Sequence, residues 1–452
     1  MHAFVEQLSE VGPPEPAPRE RLISIPYLVL RGATATGAVV TGFVQTFVFA
    51  RILDPERFAI FIVTAAIGYS LWVADLGLAK IAFVKLRAPH LAGRRDERAA
   101  SEAGAVILFY ILLALAASLV CFAVEFVRTG TTPREALDLA LFLCFVALNL
   151  AWSSLRTISM AVDLFVFFER LELIRRVVTV ATLLAMLVGL PLTVFLAGTN
   201  LLWAVLLALA LSKLARRGAL VLRVRCFPRE LKTFFAANWP AISRSSAGAL
   251  SELFVVTFPY YVVPAAFGLG PAPIILDTAF KIFRGACVIY AAVCDLAVPG
   301  QTRAYHARDA RRLTTTTLLA AGLCAIPALA ASGLLLFSGD ALYRFLLHTA
   351  ATVPPEVTPI VIVLLLAGVL QIVAEALLQH TGYFRSLAWN GAILVALMIG
   401  ATAVAFAAKF GLVGFLAAYA AAYALGAIFQ TAAAILGPIA AVSFRACQTA
   451  PQ

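Results

Sequence analysis

The chain has 452 residues, 62% of them hydrophobic and only 13% charged, with a formal net charge of +11. Soluble domains run at about 45–50% apolar and about 25% charged, so this much apolar surface needs lipid as its solvent. A soluble enzyme, a disordered chain, a disulfide-rich secreted module and a nucleic-acid binder are excluded, and the positive charge belongs in membrane-flanking loops rather than against a nucleic-acid partner.

In chain order, residues 1–22 hold Glu6, Glu10, Glu15 and a Pro13, Pro14, Pro16, Pro18 cluster without the apolar core of a signal peptide. A disordered cytoplasmic tail is expected. Twelve apolar stretches long enough to cross a bilayer follow, near 24–50, 58–83, 103–127, 137–162, 171–192, 196–215, 240–264, 272–300, 313–338, 357–380, 386–408 and 411–440. The expected architecture is therefore all-α and integral to the membrane. It consists of a six-helix lobe at 23–215, a basic cytoplasmic linker at 216–239, a second six-helix lobe at 240–440 and a cytoplasmic tail at 441–452.

Loop charge sets the orientation. One set of loops and both tails hold 23 Lys and Arg, including Lys85, Arg87, Arg94, Arg95, Arg98 and the dense run from Lys213 to Lys232. The opposite set holds 6, namely Arg51, Arg57, Arg128, Arg134, Arg344 and Lys409. That asymmetry places both termini in the cytoplasm of a bacterial inner membrane protein. A constant offset of 216 residues pairs Leu53 and Pro55 with Leu269 and Pro271, Phe168 with Phe384, and Leu196 and Gly198 with Leu412 and Gly414. One register serving separated places suggests duplicated halves, and six spans per half make the repeat parallel.

Six cations fall inside spans: Arg31, Lys80, Arg156, Arg244, Lys281 and Arg284. The acids there are Asp75, Asp163, Glu252, Asp277, Asp295 and Glu375. A charge facing lipid costs about 2.5–3.5 kcal/mol at the conservative end, so these side chains are expected to face a bundle interior or a watery cavity. At 100° per residue Arg31, Thr34, Thr41 and Gln45 form one polar stripe, and Asn149, Ser153, Arg156 and Asp163 another. Asp277, Lys281 and Arg284 share a face, as do Arg244 and Glu252. Turned inward, the four faces enclose a net-basic central cavity whose substrate-binding cations are Arg31, Arg156, Arg244, Lys281 and Arg284. Gln45, Asn149 and Ser153 are its polar lining.

Each charge also has a structural reading. Asp277 and Lys281 can pair along their own helix, and Lys80, Arg156 and Asp163 lie near enough to a boundary to snorkel. Arg31 and Arg284 have no obvious intrahelical acid and carry the strongest functional claim. Asp75, Glu252, Asp277 and Glu375 are candidates for ion coupling or simply partners for the arginines. Prolines 240, 259, 264, 271, 273 and 299 crowd the seventh and eighth spans, where bending is expected.

No CxxC, HExxH or GxxxxGK[ST] pattern occurs, so no metal, cofactor or nucleotide site is expected. The segments FVFARILDPERFAIF and WVADLGLAKIAFVK, then LGPAPIILDTAFKI, AVPGQTRAYHARDARRL and FGLVGFLAAYAAAYALG, make the chain resemble the multidrug/oligosaccharidyl-lipid/polysaccharide exporter superfamily, in its polysaccharide-transporter (Wzx-type flippase) branch. Asp54 stands where that pattern usually has Gly, as does Ala59, and Leu276 stands where an aromatic is common.

The resemblance implies two six-helix lobes that alternately expose a cationic cavity accepting a polyprenyl-pyrophosphate-linked oligosaccharide. It also implies glycosyltransferases or a polymerase of a lipopolysaccharide, capsule or exopolysaccharide pathway as partners. Arginine forks suit pyrophosphate oxygens. A cation-coupled drug antiporter of the same fold is the nearest alternative, and a membrane glycan polymerase or ligase a further one. The outer loops are too short for the enzyme reading, so a non-enzymatic carrier is expected.

Overall fold

The structure, a computed structural model, describes residues 25–128 and 131–442, except the side chains of 25–28, 88, 91, 241, 244–249, 252, 253 and 299. The expected tail at 1–22, and all but the first two residues of that at 441–452, lie outside the described residues. Among the described residues the regular structure is entirely helical. The first half holds α1 (Ile25–Ile52), α2 (Pro55–Ser70), α3 (Leu78–Leu91), α4 (Glu97–Val127), α5 (Pro133–Ala161), α6 (Phe165–Met186) and α7 (Leu192–Arg216). The second holds α8 (Phe227–Thr257), α9 (Pro259–Phe267), α10 (Pro271–His306), α11 (Ala310–Leu347), α12 (Val357–His380), α13 (Phe384–Ala407) and α14 (Leu412–Ala434).

Nine helices among the described residues are long and apolar enough to cross a membrane, and α10, bent by 44° between Val298 and Gly300, makes a tenth. Helix α6, which carries charges at 169–176, and the proline-broken pair α8–α9 fall short of that test, and counting them as passes gives six per lobe. Helix α2 continues through a tight turn at Leu71–Asp75 into α3. The layout is the expected two lobes of six passes. Helix α8, however, begins at Phe227, inside the stretch read as linker.

Local chemistry explains the helix starts. Asp54, the residue that replaces the usual glycine, is the cap of α2, its carboxylate accepting from the Arg57 amide at 2.8 Å with Pro55 in the first turn. Thr132 and Glu135 close a reciprocal capping box on α5. Between α2 and α3 the backbone turns left-handed at Leu76 and Gly77. Asp75 then accepts from the Ala79 amide (3.2 Å) and from the Tyr110 hydroxyl (2.5 Å), so it secures the break. Gly104 is required where α4 meets the linker: a Cβ there would lie 2.1 Å from the Val221 carbonyl oxygen.

The core shows how the lobes join. One apolar cluster runs across both lobes at the end carrying few basic residues, taking in Phe49, Phe61 and Phe142 of the first and Ile274, Leu346 and Phe415 of the second. Towards the basic end it divides. Leu86, Ala103, Trp152 and Leu214 of the first lobe pack with Phe234 and Ile242 of α8, and Leu313, Leu377 and Ala434 pack within the second lobe. The apolar core is continuous across the lobes at the end poor in basic residues and divided at the basic end, where α8 still reaches the first lobe.

Candidate functional site

Helix α1 belongs to the first lobe and also packs on α10 and α11 of the second, so its residues sample the lobe boundary at every depth. At the end poor in basic residues Arg51 donates to the carbonyls of Phe345 (2.7 Å) and Leu346 (3.3 Å), and its guanidinium lies over the Phe47 ring. Midway, the Lys281 ammonium donates to the Thr46 hydroxyl at 2.8 Å, and a Cβ on Gly285 would sit 3.2 Å from Val39. Beside these, the Ser70 and Tyr261 hydroxyls are hydrogen-bonded across the boundary at 2.6 Å.

The middle of the boundary is a polar cluster in apolar surroundings. Asp277 is buried, 2.5 Å from Lys281 one turn on and 3.4 Å from Arg284, and it accepts from the Tyr260 hydroxyl at 3.1 Å. Arg284 in turn donates to the Tyr260 oxygen at 2.6 Å and faces the Tyr69 ring. Two cations thus share one carboxylate. This corrects the expectation that Arg284 has no acid on its own helix: two turns separate it from Asp277, and Tyr260 fills the gap.

Nearer the basic end, α1, α5 and α6 build a second cluster. Glu169 is buried, accepts from the Thr34 hydroxyl at 2.6 Å and pairs with Arg156 at 2.5 Å. One turn along α6, Glu172 accepts from the Trp152 indole (2.8 Å), from Arg175 twice and from Arg176 (2.7 Å). Arg175, buried, also stacks on Trp203. In the loop-charge count Arg170, Arg175 and Arg176 fall with the basic loops; all three instead lie in helix α6. Each carboxylate of the cluster is neutralised by an arginine, and burial is bearable for that reason.

Arg31 is half-buried, and its guanidinium makes no hydrogen bond or ion pair among the described residues. The Asp295 carboxylate on α10 lies in the field of Arg31, Arg156 and His380. Asp163 proves not to belong to the α5 stripe: it follows the helix, has φ 59°, and pairs with Arg87 (2.7 Å) and His90 (3.1 Å). Asn149 bonds back to its own helix at Phe145 and Val146, while Gln45 and Ser153 are half-buried. Glu375 is half-buried on α12. The side chains of Arg244 and Glu252 lie outside the described residues. Among the described residues no three His, Cys, Asp or Glu gather as a metal site would require.

No protein-family model matches the chain, and no curated protein matches its sequence. Solved structures do. The inward-facing conformation of a multidrug resistance MATE family transporter of the MOP superfamily matches with TM-score 0.67 at 14% identity, over 92% of this chain and 99% of that one. The outward-facing conformation of such a transporter gives 0.59 at 14% identity, over 92% and 96%. A MOP superfamily transporter from Pyrococcus furiosus, described as having a binding pocket of reverse polarity that suggests a different function, gives 0.63 at 13% identity, over 93% and 96%. The fold is MATE-like, and the chain is a multi-pass membrane protein.

Proposed function

We propose that the chain is a membrane carrier that works by alternating access on this MATE-like fold. Its cargo is a polyprenyl-pyrophosphate-linked oligosaccharide, moved from the cytoplasmic to the outer face of a bacterial inner membrane for surface polysaccharide assembly. Both termini are cytoplasmic in this reading, so the basic end, where the apolar core divides, faces the cytoplasm. The observation that carries it is the surplus of cations at the lobe boundary. Lys281 and Arg284 share Asp277, and Arg31 stands without a hydrogen-bonded acid beside an α6 cluster in which Arg156, Arg175 and Arg176 meet two glutamates.

A diphosphate is a good match for that surplus. Guanidinium forks bind its oxygens bidentately, and charge-assisted bonds strengthen away from bulk water. The polyprenyl chain can stay in the bilayer beside the gap between lobes. The pyrophosphate supplies the counter-charge that the cations lack.

The structural neighbours, multidrug resistance MATE transporters, favour a second reading, a cation-coupled multidrug antiporter. An acidic pocket suits cationic drugs, and pocket polarity was the ground for inferring a different function in the Pyrococcus furiosus protein. The boundary cations argue for an anionic cargo here. In a strain lacking the gene, lipid-linked repeat units should accumulate on the cytoplasmic side and surface polysaccharide should be lost. Wild type should restore it, and Arg31→Gln should not at equal protein level. Restored drug resistance with unchanged polysaccharide would favour the antiporter.

A further inference from the structure

Helices α1 and α10 run antiparallel along the lobe boundary, and their contacts set a register: Thr46 meets Lys281 and Val39 meets Gly285. From Thr46 to Arg31 is fifteen positions, and from Lys281 to Asp295 fourteen. At about 1.5 Å of rise per residue, Arg31 and Asp295 come to the same depth near the basic end, on opposite lobes. The fields of Arg31, Arg156 and His380 all reach the Asp295 carboxylate, in keeping with that level.

Asp295 is exposed and has no hydrogen bond to either guanidinium among the described residues. An acid placed to stabilise the arginines would be buried against them, as Glu169 is against Arg156 at 2.5 Å. Asp295 instead stands off and lowers the positive potential between the lobes without occupying a fork.

Resting on the anionic-cargo reading above, we propose that Arg31 and Arg156 form the first anion subsite at the basic mouth of the carrier. Asp295 is its selectivity residue: a carboxylate on the opposing lobe that weakens capture of singly charged anions and is outcompeted by a diphosphate. A monoanion gains little at a site whose field is already half cancelled. A diphosphate carries more charge and engages two forks at once, so it still binds. The same carboxylate leaves the empty mouth less attractive to anionic lipid headgroups.

The test uses the full chain in nanodiscs of phosphatidylcholine, with farnesyl diphosphate and farnesyl monophosphate as probes and tryptophan fluorescence as readout. Wild type should prefer the diphosphate. Asp295→Asn should bind the monophosphate about threefold or more tighter and so lose much of that preference. Arg31→Gln should weaken the diphosphate about tenfold or more, and Asp295→Asn should have little effect in that background. Diphosphate binding with a preference that Asp295→Asn leaves unchanged overturns the selectivity role and spares the cargo reading. Failure of both wild type and Asp295→Asn to bind either probe overturns the cargo reading and the subsite together. A gain of affinity in Asp295→Asn cannot come from misfolding.

Discussion

Arg51, closing α1 of the first lobe, and Phe345, near the end of α11 in the second, are joined by a 2.7 Å hydrogen bond from guanidinium to carbonyl, with the Phe345 ring 5.8 Å from the same guanidinium. The bond ties the lobes at the end where their cores are continuous. It has to break if that end opens. Arg51→Met removes the charge-assisted bonds, each worth about 1.5–3 kcal/mol, while keeping most of the stem. Spin labels at the exposed Glu56 and Glu356, which start helices α2 and α12 on the two lobes, should show a new, longer distance in the variant. An unchanged distribution would mean that the apolar seam alone holds that end.

Asp277 compensates two cations from one buried position. Asp277→Asn should therefore destabilise by about 3–5 kcal/mol, because uncompensated buried charge remains. Lys281→Met should cost clearly less, since Arg284 and Tyr260 still satisfy the carboxylate. Thermal unfolding in a mild detergent, read by tryptophan fluorescence, ranks the two. The reverse ranking would show that the Lys281 contact to Thr46 matters more than charge balance.

Glu169 holds Arg156 from the neighbouring helix. A double-mutant cycle of Glu169→Gln and Arg156→Gln should give a coupling of about 1–3 kcal/mol. Additive effects would mean that the pair is not formed in the membrane.

Asp163 lies outside the spans and gives a pH prediction. Partial burial raises its carboxyl pKa, but hydrogen bonds and charge from Arg87 and His90 outweigh that and hold it below its ordinary value of 3.8. A depressed folded-state value means that the contribution is present above about pH 4 and fades as pH falls through the lower folded value. Asp163→Asn, which tolerates the left-handed φ of 59°, should therefore melt below wild type at pH 7, by a margin that shrinks as pH falls below about 4. A difference independent of pH would assign the effect to backbone conformation.

Hydropathy made the helices and the two lobes legible, since a span must be apolar along about 20 residues. The same rule hid the α6 cluster. Glu169, Glu172, Arg175 and Arg176 lower the hydropathy of a helix that stays buried because the charges neutralise one another. Helical phase found the faces of Arg31, Asp277, Lys281 and Arg284 and the Asp277–Lys281 pair, but not the partners on other helices. Tyr260 and Thr46 meet Arg284, Asp277 and Lys281 through tertiary packing of α1, α9 and α10, which no periodicity within one helix encodes. A run of opposite charges three and four apart at 169–176 was the available signal for the missed pair.

The most direct measurement is transport by the purified chain in proteoliposomes, scored by protection of a fluorescent polyprenyl-pyrophosphate-linked oligosaccharide from an impermeant reagent. Wild type should carry the lipid across the bilayer, and Arg31→Gln and Lys281→Met should each slow it at least about tenfold while remaining folded. Transport that survives both substitutions undiminished, or its absence in wild type beside uptake of a cationic drug, would contradict the anionic-cargo assignment.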